Sequence, residues 1–239
     1  MAMYKDLAEY FGTDVVAPCP RGHVTNLQCS TDLVSRYIHG FTGACFDPRM
    51  DEPWWNDNAF NASDMYGVAA LSMPHMIRSN ILEEYCEFFS QDDAASKNCN
   101  SPTDCTLHIG CLLSRIPRKA EIWSPDAEKY LVKADSVWNI LFENRPDRVG
   151  DVGVNKLVSR KRPGLLPVVD DVTRKRGLLL TGGKKPKSHW SVLHSDLNPL
   201  SPDVVVGIQS VRKGANVPDW TFDLRVIDII VWMHEMRGC

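Results

Sequence analysis

Residues 148–177, RVGDVGVNKLVSRKRPGLLPVVDDVTRKRG, place two adjacent carboxylates, Asp170 and Asp171, among eight Lys/Arg and four glycines. Gly150 and Gly153 permit a tight turn whose backbone N–H groups converge at a helix N-terminus, a geometry that binds phosphate without any side chain. Gly150, Asp151, Val152 and Gly153 are therefore the candidate phosphate grip. Lys156, Arg160, Lys161 and Arg162 would extend the positive surface, joined by Arg174 and by Lys184 and Lys185 in the loop TGGKKPKSHW. Contacts of this kind fix the register of a nucleic acid but read no sequence. A Gly-x-x-Gly turn serves structural helix connections equally often. An aspartate that follows the extended Pro-Val-Val and precedes a helix-prone segment is also a good N-cap. Two neighbouring carboxylates can hold a divalent cation for strand cutting, although the basic flanks offer no further acidic ligand.

Charge is segregated along the chain. Residues 145–187 hold twelve Lys/Arg against four Asp, within a protein of formal net charge −3. A basic stripe on an acidic body is the footprint of a polyanion-binding face, and a solvated helix with a basic loop is the plainer reading. The eight cysteines contain no Cys-x2-Cys pair. Cys99, Cys105, His108 and Cys111 form the best metal-ligand cluster, whereas thiols acting as small hydrophobes explain the cysteines more simply. No metal and no cofactor is expected. The chain has no apolar run of about 18 residues and no basic-then-apolar leader, so a cytoplasmic protein without membrane contact is expected.

These groups need elements to position them. A chain of 239 residues can bury a full core in one large domain or two small ones. Short helices are expected at 3–11 and 30–40. ASDMYGVAALSMPHMI offers Ser63 or Asp64 as N-cap and predicts a buried helix ending near Pro74. RSNILEEYCEFFSQ predicts a second helix that dissolves into a polar loop, and CTLHIGCLLSRI fits either strand or helix. The clearest helix is SPDAEKYLVKADSVWNILFEN, with Ser124 as cap, Pro125 at the first helical position and apolar residues at 131, 134, 138, 141 and 142. LNPLSPDVVVGIQS reads as a strand or buried turn, and DWTFDLRVIDIIVWMHEM as a helix running to residue 236. The expected fold is mainly α, with residues 1–124 as a mostly helical part and 125–239 as the basic part, or the two together as one intertwined domain.

Between the helix ending near Asn144 and the one beginning near Val152, the chain resembles the helix-hairpin-helix DNA glycosylases. In that superfamily a hairpin Gly-Val-Gly-x-x-Thr-Ala is followed by Pro-Val-Asp-x-x-Val-x-Arg at the mouth of the pocket. Here Arg148–Val154 falls on the hairpin and Pro167-Val168-Val169-Asp170 on the second motif with one extra residue, and the step from Val152 to Asp170 is similar to the family's interval. SRYIHGFTGACFD, ASDMYGVAALSM, NKLVSRKRPGLLPVVDDV and LRVIDIIVWM further resemble a bacterial domain family of unknown function. That resemblance implies kinship with anti-phage glycosylases that remove glucosylated hydroxymethylcytosine. Arg148 replaces the first hairpin glycine. Val152 stands where bifunctional members carry a Schiff-base lysine, which implies a monofunctional enzyme that leaves an abasic site.

The resemblance implies a two-part helical fold with a cleft between its halves, a monomer, and double-stranded DNA, notably phage DNA with modified bases, as partner. Cleaving an N-glycosidic bond develops positive charge on the sugar, which one ionised aspartate can stabilise while orienting water. Asp170 is the expected catalytic residue, or Asp171 if the extra residue shifts the register. The nucleotide must swing out of the duplex into a pocket with aromatic walls. Tyr37, Phe41, Trp54, Trp55 and Tyr66 are the candidates for those walls. Asp47, Asp57 and Asn58 could hydrogen-bond a glucosyl group.

Overall fold

A computed structural model of the chain describes residues 7–12, 25–47, 55–97, 108–170 and 186–237. Among these residues the structure is helical, with no strand. The helices are α1 (Leu7–Tyr10), α2 (Asn26–Gly40), α3 (Ala62–Ala70), α4 (Ser79–Ser96), α5 (Ile109–Ser114), α6 (Ala127–Glu143), α7 (Asp151–Lys161), α8 (Pro186–Leu197), α9 (Pro202–Gly214) and α10 (Asp223–Arg237). Short 3-10 turns at Thr42–Phe46 and Pro74–Ile77 follow α2 and precede α4.

Local chemistry explains most boundaries. Thr25 caps α2 through a capping box with Gln28, each side chain accepting from the other's backbone N–H. α3 starts at Ala62 because Asn61 is its cap, and the expected cap Asp64 instead reaches back to the Asn61 amide at 3.0 Å. That helix stops at Ala70, short of Pro74, where Ser72 turns the chain with a left-handed φ of 63°. Its closing turn places Leu71–Met73 against α7. α6 begins at Ala127 after Asp126, with no side-chain cap bond, so the expected cap Ser124 and helical start at Pro125 are corrected. Of the expected stripe Leu131, Ala134, Trp138 and Leu141 are buried, while Phe142 is half-buried and Val137 is buried in addition. Within CTLHIGCLLSRI, Ile109–Ser114 form helix α5. The segment expected as a strand or buried turn is helix α9, with Ser201 accepting from the Val204 amide and Pro202 at the first position.

The helices on either side of residue 124 are interleaved in one continuous core. α2 packs against α9 and α10, so an early helix is enclosed by the two last ones. α6 is surrounded by α5, α7 and α8, and α3 joins the two groups by packing on α7. Gly67 allows that last approach, since a Cβ there would lie 2.5 Å from the Arg160 guanidinium. No described helix is long and apolar enough to cross a membrane.

The cysteines differ from expectation in one respect. Cys29 is disulfide-bonded, so the reading of all eight cysteines as thiols is corrected. Cys45, Cys86 and Cys111 are free. Of the candidate metal ligands, Cys99 and Cys105 lie outside the described residues. His108 Nδ1 stands 3.6 Å from the Asp92 carboxylate, and Cys111 Sγ donates to Ser96 O.

Candidate functional site

The connection between α6 and α7 is a tight hairpin in which Arg148, not a glycine, takes the left-handed conformation, at φ 73°. Gly150 is in ordinary extended backbone, and a Cβ there would meet nothing within 4 Å. Its lack of a side chain leaves exposed backbone bare at the start of α7. Gly153 is needed for packing, because its Cβ would lie 3.1 Å from Val149 and 3.2 Å from Met73. The Val152 amide donates to Asp151 Oδ1 at 2.9 Å, so an acidic side chain already complements this helix end.

The basic run on α7 is not a surface stripe. Lys156, Arg160, Lys161 and Arg162 are all buried. Arg160 Nε and Lys161 Nζ lie 3.2 Å and 2.7 Å from opposite oxygens of the fully buried Asp64. Lys161 also sits 4.1 Å from the Trp55 ring centroid. Arg162 donates to the carbonyls of Asp57, Leu113 and Ile116 and to Asn58 Oδ1. Lys156 Nζ donates to Leu71 O at 2.9 Å. Burial lowers the Lys161 pKa to about 8, against the pull of Asp64, and that of Arg162 to about 10. These four residues are therefore withdrawn as phosphate contacts, because their donors are spent inside the core. Arg145 and Arg148 are the exposed cations at the hairpin. Arg145 stacks on Phe142, with its guanidinium carbon 3.6 Å from the ring centroid. Arg174, Lys184 and Lys185 lie outside the described residues, as do Asp171 and Trp54.

α7 also aims the loop that ends at Asp170. Asn155 Oδ1 accepts from the Val169 amide at 2.9 Å, and Ser159 Oγ donates to Pro167 O at 2.8 Å. From the other side, Asp228 Oδ2 on α10 accepts from the Val168 amide at 2.8 Å. Three consecutive residues are thus tied down before Asp170, whose Oδ2 accepts from Trp232 Nε1 at 3.0 Å. This half-buried aspartate consequently has a defined position on the wall of a cavity of about 390 Å³.

That cavity lies where α2, α7 and α10 converge. Tyr37, Phe41 and Trp232 form an aromatic wall, with Phe41 and Trp232 ring centroids 5.5 Å apart. Leu71, Ser72, Met73 and His75 close one side, and Val152 and Lys156 bring in the start of α7. Arg225, Asp228 and Ile229 line the opposite wall. Behind this lining, Arg225 Nε is 2.7 Å from Asp47 Oδ1, and its guanidinium also donates to Tyr37 Oη. Tyr37 in turn donates to Gly43 O at 2.9 Å. Burial pushes the Tyr37 hydroxyl well above its ordinary range, so it remains a neutral donor. Burial likewise raises Asp228 to about 7, with Asp47 and Asp170 pushing in the same direction while Arg225 and the Val168 amide oppose it.

Of the expected pocket residues, Tyr37 and Phe41 line the cavity. Asp47 is placed one layer behind it by Arg225, which takes up the carboxylate expected to meet a sugar. Trp55 is displaced to the α3–α7 junction by Lys161, where its Nε1 donates to Asp57 at 2.6 Å. Tyr66 is 55% exposed on the outer face of α3 and contributes nothing to the cavity. Among the cavity residues not anticipated are Arg225, Asp228 and Trp232. Their signal was an Arg and an Asp three residues apart within the otherwise apolar run LRVIDIIVWM, an arrangement that buried charge adopts only with partners.

A family model described as a family of unknown function, DUF6308, matches residues 99–235, more than half of the chain. The chain belongs to DUF6308. No curated protein and no solved structure shows significant similarity to it. The segment matched by DUF6308 carries the hairpin, Asp170, Asp228 and Trp232. Tyr37, Phe41, Met73 and His75 enter the cavity from the part of the chain that precedes it.

Proposed function

We propose that the protein is a monofunctional DNA glycosylase. It extrudes a modified base, best matched by glucosylated hydroxymethylcytosine of phage DNA, into the cavity and hydrolyses the N-glycosidic bond to leave an abasic site. The observation that carries this reading is a fixed carboxylate, Asp170, on the wall of an aromatic-lined cavity beside the exposed start of α7. An ionised carboxylate there favours positive charge developing on the deoxyribose and can orient the attacking water. The aromatic wall of Tyr37, Phe41 and Trp232 offers stacking surface for an unstacked base. A volume of about 390 Å³ falls within the range of small-ligand sites and admits a base with a bulky substituent.

DNA contact falls to the hairpin, where Arg145, Arg148 and the bare Gly150 backbone are accessible. The two-part glycosylase-like architecture, with the cavity as its cleft, belongs to this same reading. Val152 in the cavity wall supports hydrolysis without a Schiff base, and the Lys156 ammonium is occupied by Leu71 O.

The test is incubation with DNA containing glucosylated hydroxymethylcytosine, followed by abasic-site detection and identification of the released base. The wild-type protein is expected to release base without strand cutting. Asp170→Asn is expected to lower the rate by about 100-fold or more. Full excision by that variant would remove Asp170 from the mechanism. Salt-sensitive DNA binding without any released base would instead favour a non-catalytic binding protein.

A further inference from the structure

We propose that Asp228 is a second catalytic residue of this cavity, the group that donates a proton to the departing base while Asp170 serves the sugar. This rests on the glycosylase reading above. Asp228 stands on the cavity wall, and its Oδ2 is used by the Val168 amide at 2.8 Å. Among the described residues no hydrogen bond engages its Oδ1. The groups facing it come from every neighbouring element. They are Tyr37 on α2, Asp47 after the first 3-10 turn, His75 on the second, Lys156 on α7, Asp170 on the loop and Arg225 one turn earlier on α10.

Their charges decide the protonation state. Arg225 is already neutralised by Asp47 at 2.7 Å, and the Lys156 ammonium is directed to Leu71 O. Ionising Asp228 would therefore add a negative charge beside Asp47 and Asp170 in a site shielded from water. A titration near pH 7, far above that of an ordinary carboxylate, follows from that environment. A carboxyl that burial keeps protonated can act as the acid beside a second carboxyl at the same cavity.

Atoms and electrons balance in this step. The bond between C1′ and the base nitrogen breaks, and its electron pair leaves with the base. The Asp228 proton moves to a ring nitrogen or carbonyl oxygen of that base. A water oxygen bonds to C1′ and gives its proton to the Asp170 carboxylate. Solvent then takes that proton and returns one to Asp228.

The experiment uses a duplex oligonucleotide with one glucosylated 5-hydroxymethylcytosine and follows base release under single-turnover conditions across neutral pH. The wild-type rate is expected to fall as pH rises through about 7. Asp228→Asn keeps an acceptor for the Val168 amide but carries no transferable proton. It is expected to lose about 100-fold in rate, to lose that falling limb, and to bind the duplex as the wild type does. An unchanged rate and limb in Asp228→Asn would overturn the role of Asp228 and leave the glycosylase reading standing. A lowered rate that keeps the limb would reduce Asp228 to a positioning residue and also overturn the proposal. No base release by the wild type would overturn both readings. Should the variant not fold, the wild-type profile decides, since a rate that does not fall across neutral pH excludes the acid.

Discussion

Asp64 shows how a single residue settles what a run of charge means. Its carboxylate is fully buried and pairs with Arg160 and Lys161, so two cations of the apparent basic stripe are structural. Replacing one partner of such a cluster leaves uncompensated charge in the core, which costs about 3–5 kcal/mol. Asp64→Ala is therefore expected to lower the Tm by an amount on the order of 10 °C in a thermal melt. The same reasoning separates the two kinds of cation in DNA-binding assays. Replacing exposed Arg148 with Ala should flatten the salt dependence of binding, because a phosphate contact releases counterions. Replacing Arg160 should act on stability instead. The sequence displayed all these cations but could not sort them, since the anion that neutralises Arg160 lies 96 residues earlier in the chain.

α7 acts as a brace whose two ends have different tasks. Its N-terminus forms the hairpin, while its Asn155 and Ser159 hold the backbone that leads to Asp170. Asn155→Ala would strand the Val169 amide in the core, at a cost of about 1–3 kcal/mol. Faster hydrogen exchange at that amide, together with a reduced Tm, is the expected signature. The start of α7 is legible near Gly150 and Asp151, although the residue that makes the turn is Arg148 and not a glycine. α9 is less legible because Val204, Val205 and Val206 suggest a strand, although Ser201-Pro202 is a helix start and Val204, Ile208 and Val211 keep a helical spacing. α10 is legible as a helix, but its apolar residues surround it on all sides. No stripe marks which face carries Arg225, Asp228 and Trp232 into a cavity.

For the whole molecule, the buried acid makes stability depend on pH. Asp228 has a folded pKa of about 7, raised above its unfolded value near 3.8. Its contribution is fully present below the unfolded value and is lost as pH rises through the folded one. Wild-type stability should therefore decline between those limits by a few kcal/mol relative to Asp228→Asn, at about 1.4 kcal/mol for each tenfold difference in proton affinity between the folded and unfolded chains. Denaturant unfolding of both proteins at several pH values checks this, and parallel curves would contradict the buried acid.

The predominantly helical class, the existence of α6 and most of its buried stripe, the hairpin before α7 and the separation of Asp170 from it were determined by sequence alone. They depend on local periodicity, capping chemistry and short chain separations, all of which neighbouring residues specify. Only the tertiary structure decided that the α7 cations turn inward, that Asp47 is held by Arg225, and that Asp228 joins Asp170 at one cavity. Those outcomes depend on the burial of charge against partners far along the chain, brought together by the enclosure of α2 between α9 and α10.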